Sequence, residues 1–185
     1  MRVIGGRLGG RALNAPTSDD IRPTTDRMRE SLFNILAHRE GFPLRGARVL
    51  DLFAGTGALA FEALSRGADF AVMVDIGAEA RGIQRENIEA FGLAGSARIM
   101  RRDATKLGAV APFEPFNLVF CDPPYGKGLG EAALVSAISG GWLAPGALVV
   151  LEERASVAVS FPAPLEEIER RKAGETQLVF AKMPG

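Results

Sequence analysis

The sequence is poor in the residues that build metal sites and disulfide bonds. Among 185 residues it has one cysteine and one histidine, Cys121 and His38. A single cysteine excludes an internal disulfide and suits a reducing compartment, so we expect a cytoplasmic protein. Because zinc sites draw most of their ligands from cysteine and histidine, we predict that the protein holds no metal.

An excess of charge of one sign is also absent, as are long apolar runs. Lysine and arginine together number 22, as do aspartate and glutamate, so the formal net charge is zero and no overall basic field attracts nucleic acid. Neither a membrane-spanning run nor a secretion signal stands out, so we expect no membrane association. The chain is 47% hydrophobic and 24% charged, which is ordinary for a globular protein, and its length suits one domain.

The chain is organised around residues 49–60, which read VLDLFAGTGALA. A short apolar run ends near Asp51, passes through a turn with Gly55 and Gly57, and continues in helix-forming residues. This pattern predicts a buried strand, a tight loop and the start of a helix. The glycines let a ligand approach the main chain closely, and the helix start offers unpaired N–H groups. Asp51 adds a negative charge where open α/β sheets bind ligands.

The glycine loop alone leaves two classes of cofactor open. Residues 55–60, GTGALA, fit the dinucleotide pattern G-x-G-x-x-A, in which a pyrophosphate rests on the helix N-terminus. Asp51 would repel a pyrophosphate, whereas it suits a ligand with an ammonium or a sulfonium group, such as S-adenosylmethionine. A nicotinamide oxidoreductase and a methyltransferase therefore both remain possible at this point.

A second motif ends another apolar strand, at residues 118–125, LVFCDPPY. Asp122 is followed by Pro123, Pro124 and Tyr125. Each proline fixes its own backbone torsion and pushes the preceding residue toward extended geometry, so the segment is rigid. It lies about seventy residues beyond the glycine loop, and a nicotinamide oxidoreductase would leave it without a role. The second motif therefore favours methyl transfer.

The hydrophobic pattern predicts alternating strands and helices. Strands are expected at residues 48–53, 70–74, 97–100, 116–121 and 147–151, and helices at 26–37, 58–66, 78–91 and 129–139. Two final strands are expected near 165–171 and 177–181. This order implies an α/β fold with a doubly wound, mostly parallel sheet and a C-terminal antiparallel hairpin. Glu152 and Glu153 follow the fifth strand and are interpreted as structural or solvated.

The two motifs together resemble those of S-adenosylmethionine-dependent methyltransferases that act on exocyclic amino groups of nucleobases. Several segments are similar, more closely, to the RsmD family of 16S ribosomal RNA guanine-N2 methyltransferases. These segments are IGGRL at 4–8, RPTTDR at 22–27, DLFAGTG at 51–57 and LSRGA at 64–68. The similarity extends from residue 2 to about residue 180.

The resemblance implies a Rossmann-like class I methyltransferase fold and S-adenosylmethionine as the cofactor. It implies a single domain of residues 1–185, in which a basic arm and a helix (1–40) face the RNA and the cofactor, and residues 41–185 form the cofactor-binding core. The implied cofactor contacts are Asp51, Phe53, Ala54, Gly55, Gly57, Asp75, Asp103 and Ala104. Asp75 lies about twenty residues beyond the glycine loop, where an acid can accept both ribose hydroxyls. Asp103 is expected to accept a hydrogen bond from the adenine amine.

The resemblance also assigns the reacting end of the site and the RNA contacts. Catalysis is expected from Asp122, Pro123, Pro124 and Tyr125. Residues 1–15 read as a β-hairpin or extended arm, and no acid precedes Asp19 in the sequence. The residues alone leave open a phosphate-contacting arm and a solvated, flexible terminus, and the resemblance favours the former. The expected RNA-binding residues are Arg2, Arg7, Arg11, Arg22 and Thr24.

The expected partner is 16S ribosomal RNA in a folded or assembled small-subunit particle, bound by a monomer. Three other functions share part of the pattern. An adenine-N6 methyltransferase acting on DNA or RNA has the same two motifs, although the DNA enzymes usually carry a separate target-recognition segment that 185 residues scarcely accommodate. A nicotinamide oxidoreductase would use the glycine loop. A non-catalytic RNA-binding module would use the basic arm alone.

Overall fold

The computed structural model describes residues 1–14, 16, 25–42 and 44–185. Arg22 and Thr24 lie outside the described residues, so their proposed RNA contacts stay predictions. The described helices are α1 (Asp26–Ala37), α2 (Ala58–Ser65), α3 (Ala78–Phe91) and α4 (Leu129–Ser139). The described strands are β1 (Arg48–Leu52), β2 (Phe70–Asp75), β3 (Ala97–Arg101), β4 (Phe116–Cys121), β5 (Leu143–Arg154), β6 (Glu166–Ala173) and β7 (Thr176–Lys182).

The described strands form one sheet of seven, in the order β3-β2-β1-β4-β5-β7-β6. Strands β1 to β5 are parallel, and β7 runs antiparallel to both of its neighbours. The α/β fold, with a doubly wound sheet and an antiparallel C-terminal hairpin, is therefore confirmed. The strand order reverses between β1 and β4, and ligands of open α/β sheets bind beyond the carboxyl ends of the strands at such a point.

The central strands are nearly continuous apolar runs because helices cover both faces of the sheet. One hydrophobic cluster packs under α1 and α2 and includes Leu36 and Phe61. The other packs under α4 and includes Leu134 and Trp142. Neighbouring residues of one strand divide between these clusters, as the alternation of side chains requires. In the described ranges, no helix is long and apolar enough to cross a membrane.

Strand β5 is the element that departs most from the sequence-based expectation. It runs from Leu143 to Arg154, whereas a strand was expected over 147–151. The extension carries Glu152 and Glu153, which are 6% and 2% exposed. Pairing with β7 continues along this extension to Arg154. Of the two interpretations of these glutamates, the structure confirms the structural one, since neither side chain is solvated.

Residues 1–14 fold back on themselves and are closed by an antiparallel bridge between Arg2 and Ala12. Three apolar side chains of this arm are buried in the cluster under α1 and α2, namely those of Val3, Leu8 and Leu13. The N–H of Leu8 and that of Arg7 donate to the Ser65 hydroxyl (2.9 Å) and carbonyl (2.8 Å). The arm is therefore a packed part of the fold, and the alternative of a flexible terminus was wrong.

A buried carboxylate holds the arm, α1 and α2 together. Glu62 of α2 is 0% exposed, and it accepts the N–H groups of Ile4 and Gly5 at 2.9 Å each. It also pairs with Arg29 of α1 at 3.0 Å and with Arg66 at 2.8 Å. Arg29 is itself fully buried. Charged groups at such depth are tolerated when they are paired and hydrogen-bonded in this way.

Candidate active site

A cavity of about 770 Å³ lies beyond the carboxyl ends of the parallel strands. Small-molecule sites in proteins typically measure about 300–1,000 Å³. The residues expected from sequence that line it are Asp51, Phe53, Ala54, Gly55, Asp75, Asp103, Asp122, Pro123 and Pro124. One cavity thus brings together residues from both motifs and from the ends of β2 and β3. Gly57, Ala104 and Tyr125 are not part of its lining.

The glycine loop owes its shape to left-handed backbone conformations. Phe53, Gly55 and Gly57 have φ angles of 58°, 57° and 82°. A side chain at Gly57 would bring a Cβ atom within 2.7 Å of both the Met73 sulfur and the Phe61 ring. Gly57 therefore serves the turn and the packing beneath it, and its contact with a cofactor stays a prediction.

Asp51 lies at the bottom of the cavity and is 1% exposed. It accepts a hydrogen bond from the N–H of Ala60 in α2 at 3.2 Å. Burial raises the pKa of Asp51 well above its usual range, and the negative charges of Asp122 and Asp75 raise it further, against the lowering effect of the Ala60 hydrogen bond. A cation in the cavity would relieve this strain on the ionised form. The site is therefore suited to a ligand with a positively charged group.

Asp75, at the end of β2, joins two loops around the cavity. One carboxylate oxygen accepts the N–H of Gly55 and the other accepts the N–H of Gly77, both at 2.8 Å. These bonds fix the orientation of the carboxylate. An ionised carboxylate has about four acceptor positions, so acceptor capacity is left for the hydroxyls of a ligand.

Asp103 follows β3 and is held by the turn that comes after it. Its Oδ1 accepts the Thr105 hydroxyl at 2.7 Å and the Thr105 N–H at 2.9 Å. The hydrogen bond from the Thr105 hydroxyl, followed by that from the N–H, lowers the pKa of Asp103. The group is therefore a fixed carboxylate at neutral pH. Ala104 beside it is buried, and its assignment to the cofactor stays a prediction.

The Asp-Pro-Pro-Tyr motif follows β4 directly. The N–H of Asp122 approaches the carbonyl of Leu52 at 3.4 Å, which places the motif beside the end of β1. The Tyr125 hydroxyl donates to Oε1 of Glu152 at 2.5 Å. Cys121, one residue before the motif, is buried, and burial raises the pKa of its thiol. Cys121 is therefore a core residue.

Two amide side chains of α3 support the glycine loop, and sequence reasoning missed both. The Gln84 amide donates to the Gly55 carbonyl at 2.7 Å. The Asn87 amide donates to the Thr56 carbonyl at 3.4 Å and accepts the N–H of Asn14 at 3.0 Å. Both side chains are buried. The signal in the sequence is a pair of amides three residues apart on the inward face of a helix.

The expected RNA-binding arginines of the arm are exposed and lie outside the cavity lining. The Arg2 guanidinium donates to the Gly10 carbonyl at 2.6 Å. The Arg11 guanidinium donates to the Ala90 carbonyl at 2.7 Å and lies 4.9 Å from the centre of the Phe91 ring. Arg2 and Arg11 therefore also stabilise the arm through contacts within the protein. The Arg7 guanidinium makes the fewest such contacts of the three.

Among the residues that the structure describes, no group of three or more histidine, cysteine, aspartate or glutamate side chains could hold a metal ion. His38 is exposed, and its Nδ1 lies 2.8 Å from the Asn34 carbonyl of the same helix. This histidine is therefore a surface residue.

The comparison with known proteins identifies the family. A family model described as Conserved hypothetical protein 95 matches residues 1–182. Ribosomal RNA small subunit methyltransferase D of Escherichia coli K12 is 41% identical to this chain over 154 residues, which are 82% of this chain and 74% of that protein. The chain belongs to the RsmD family. It is therefore a methyltransferase, as the two motifs predict.

Other relatives agree with membership of the RsmD family. The rRNA methyltransferase candidate YlbH of Bacillus subtilis is 42% identical over 127 residues, which are 68% of this chain and 67% of that protein. The solved structure of the methyltransferase candidate yhhF of Escherichia coli has a TM-score of 0.83 and 35% identity, and the match covers 100% of this chain and 98% of that chain. The Rossmann-like class I fold is thus shared over the whole chain.

Proposed function

We propose that this RsmD-family protein transfers a methyl group from S-adenosylmethionine to the exocyclic N2 amine of a guanine in 16S ribosomal RNA. The observation that carries the proposal is the meeting of four acids, Asp51, Asp75, Asp103 and Asp122, in one cavity. Each of them ends or follows one of four neighbouring parallel strands. The name of the Escherichia coli relative, ribosomal RNA small subunit methyltransferase D, supports the choice of RNA.

The residues of the cavity fit S-adenosylmethionine group by group. Asp51, buried and close to other acids, suits the ammonium at the methionine end of the cofactor. Asp75 can accept hydrogen bonds from the two ribose hydroxyls, which is the use that Rossmann-like sheets make of an acid after the second strand. The pKa of Asp103 is lowered by its hydrogen bonds from Thr105, and this carboxylate can accept a hydrogen bond from the adenine amine. A pyrophosphate would meet three carboxylates in the same space, which disfavours a nicotinamide dinucleotide.

The chemistry at the other end of the cavity requires orientation rather than a strong base. S-adenosylmethionine, when bound, supplies a methyl group that its sulfonium has already activated. The guanine amine is a poor nucleophile because its lone pair is delocalised into the ring. Asp122 and the Pro123 carbonyl can accept the two amine hydrogens and turn the lone pair toward the methyl group. Tyr125 can stack on the base once it has left its neighbours.

The preference for guanine has a chemical argument and a comparative one. The two oxygens of a carboxylate match the adjacent N1–H and N2–H donors of guanine. Adenine-N6 methyltransferases carry the same four-residue motif, so this match does not separate the two bases by itself. The relatives named as small-subunit RNA methyltransferases favour an RNA substrate over DNA.

The decisive experiment supplies the purified protein with radiolabelled S-adenosylmethionine and small-subunit particles assembled on unmodified 16S RNA transcripts. The RNA is then digested, and the labelled nucleoside is compared with N2-methylguanosine and N6-methyladenosine. We expect label in N2-methylguanosine at one nucleotide, which sequencing of protected fragments would locate. Label in N6-methyladenosine would establish the adenine alternative. Calorimetric binding of NAD with no binding of S-adenosylmethionine would contradict the proposed cofactor.

A further inference from the structure

Strand β5 extends past the end of the strand beside it. Cys121, the last residue of β4, pairs with Leu151 of β5, and β5 then continues to Arg154. The Asp-Pro-Pro-Tyr motif begins at the next residue of the β4 chain, so it runs alongside Glu152 and Glu153. The extension, residues 152–154, therefore lies beside the catalytic motif.

Both glutamates of the extension hold the motif by hydrogen bonds. Glu152 accepts a hydrogen bond from the Tyr125 hydroxyl at 2.5 Å. Glu153 accepts the N–H of Gly126 through both of its oxygens, at 3.1 and 3.2 Å. The guanidinium of Arg154 lies 5.9 Å from the centre of the Tyr125 ring. Three consecutive residues of β5 thus contact Tyr125 or its neighbour.

The extension is held in place by pairing with β7 alone, since β4 ends at Cys121, opposite Leu151. Glu152 pairs with Leu178 of β7, and Glu153 pairs with Gln177. Both glutamates are almost fully buried. Burial of a carboxyl group is costly unless the group is hydrogen-bonded, so the contacts with Tyr125 and Gly126 offset this cost. Leu148 and Val150 belong to the cluster under α1 and α2, so the alternation of side chains puts Glu152 on that same face of the sheet. Tyr125 is thereby fixed to one face of a braced strand.

We propose that Glu152 is a positioning residue for methyl transfer. By accepting the Tyr125 hydroxyl, it sets the plane of the ring on which the target base stacks, and so places the amine in line with the methyl group. This inference rests on the proposed function of the site. Glu152 does not bind the cofactor in this scheme, so its loss slows the chemical step at saturating cofactor and leaves cofactor affinity unchanged.

The test measures single-turnover methyl transfer to small-subunit particles at saturating S-adenosylmethionine and RNA. We expect Glu152→Ala to reduce the rate by about tenfold to a hundredfold, because a misplacement of about 1 Å at a reacting group has effects of this size. Glu152→Gln keeps an oxygen acceptor for the hydroxyl and is expected to restore most of the rate. Tyr125→Phe keeps the ring and loses the hydroxyl, so it should slow transfer to a similar extent as Glu152→Ala.

The double variant Glu152→Ala with Tyr125→Phe decides between positioning and general support of the fold. If Glu152 acts through the hydroxyl, the double variant is no slower than the slower single variant. Losses that multiply, or a loss of cofactor affinity in Glu152→Ala, would overturn the proposal. If Glu152→Ala does not fold, Tyr125→Phe is still a sufficient test. A wild-type rate in that variant would overturn the proposal by itself. Glu166→Gln, an exposed acid on β6, is the matched control.

The proposed function is tested separately by the wild-type protein. Label from wild type in a nucleoside other than N2-methylguanosine would contradict the substrate and leave the positioning test intact. Wild-type transfer to guanine, with variant rates that do not follow this pattern, would contradict the role of Glu152 alone.

Discussion

Asp51 is held in an environment that favours its protonated form, since burial and the neighbouring acids raise its pKa well above the usual range. The folded protein therefore binds this proton more tightly than the unfolded chain does. The stability that comes from the protonated carboxyl is present below the unfolded pKa and is lost as the pH rises through the raised folded pKa. Above the unfolded pKa, Asp51 consequently costs the protein stability, and a bound cationic ligand offsets this cost because a cation favours the ionised form.

We predict that Asp51→Asn raises the melting temperature of the ligand-free protein at neutral pH and weakens S-adenosylmethionine binding. The asparagine oxygen can still accept the Ala60 N–H, and the variant removes the acid whose ionised form burial disfavours. Thermal unfolding and calorimetry measure the two effects, with Asp69→Asn at an exposed position as the control. A variant that melts lower and binds the cofactor normally would contradict this account.

The same raised pKa gives cofactor binding a pH dependence with a defined sign. A bound cation favours ionised Asp51. Binding therefore releases a proton at pH values that lie between the pKa of Asp51 in the complex and its pKa in the free protein. We therefore expect affinity to fall as the pH falls through the raised pKa, and this dependence to be flatter in Asp51→Asn. Calorimetric titrations in buffers of different ionisation enthalpy would detect the released proton.

Asp122 lies in the same cavity but is assigned to the substrate amine. We predict that Asp122→Ala reduces methyl transfer by about a hundredfold or more, the usual cost of removing a positioned electrostatic partner. Cofactor affinity should be largely retained, since Asp51, Asp75 and Asp103 remain. Turnover within a few-fold of wild type, measured with saturating cofactor, would remove Asp122 from the catalytic role.

At the scale of elements, the junction of the arm, α1 and α2 depends on Glu62. We predict that Glu62→Gln lowers the free energy of unfolding by up to about 3–5 kcal/mol, the cost of breaking a buried ion pair, because Arg29 then keeps only the half-exposed Asp26 as a counter-charge. Denaturant unfolding measures the loss. The exposed Glu89→Gln on α3 is the control and should change stability little. An equal effect of both substitutions would show that the junction is not special.

Local sequence patterns predicted the helices and strands well where apolar residues are the buried ones and polar residues are exposed. Helix α1 was expected at residues 26–37 and is found there, and Thr25 caps it by accepting the N–H of Met28. The inward face of α1 also carries a charged side chain. Arg29 is buried there because it pairs with Asp26 of the same helix and with Glu62 of α2, and no feature within α1 indicates the second partner.

In the site, too, residues that belong to a contiguous motif were predicted, and residues whose partners are distant in sequence were not. Residues of the two motifs were found because a strand, a turn and their acids stand together in sequence. Glu152 and Gln84 were missed because their partners lie 27 and 29 residues away and are brought near by strand pairing and helix packing. The end of β5 was missed for a related reason, since a run of two glutamates and an arginine does not read as a buried strand.

At the scale of the whole molecule, a net charge of zero means that RNA must be attracted by local patches. Within the arm, Arg7 is exposed, whereas Arg2 and Arg11 also hydrogen-bond carbonyls of the protein. Neutralising all three would therefore mix RNA binding with damage to the arm. A single substitution at Arg7 separates the two.

We predict that Arg7→Ala weakens RNA binding and reduces the log–log salt slope by about 0.7–0.9 units, the contribution of one phosphate contact. Cofactor binding and the melting temperature should not change. Binding isotherms over a salt series provide the measurement, and Lys172→Ala on the exposed strand β6 is the control. An unchanged slope would leave the arm as a structural edge and direct attention to Arg27 and Arg101.

The position of β7 between β5 and β6 has a consequence for the growing chain during synthesis. Strand β5 has an open edge until residues 176–182 have left the ribosome, and β6, made earlier, has no place in the sheet before then. Translation at about 5–20 residues per second leaves this apolar edge uncovered for seconds, and unpaired edges invite association with other chains. A released chain that ends before residue 176 should therefore be cut readily by proteases within 155–175, and the full chain should resist that cleavage.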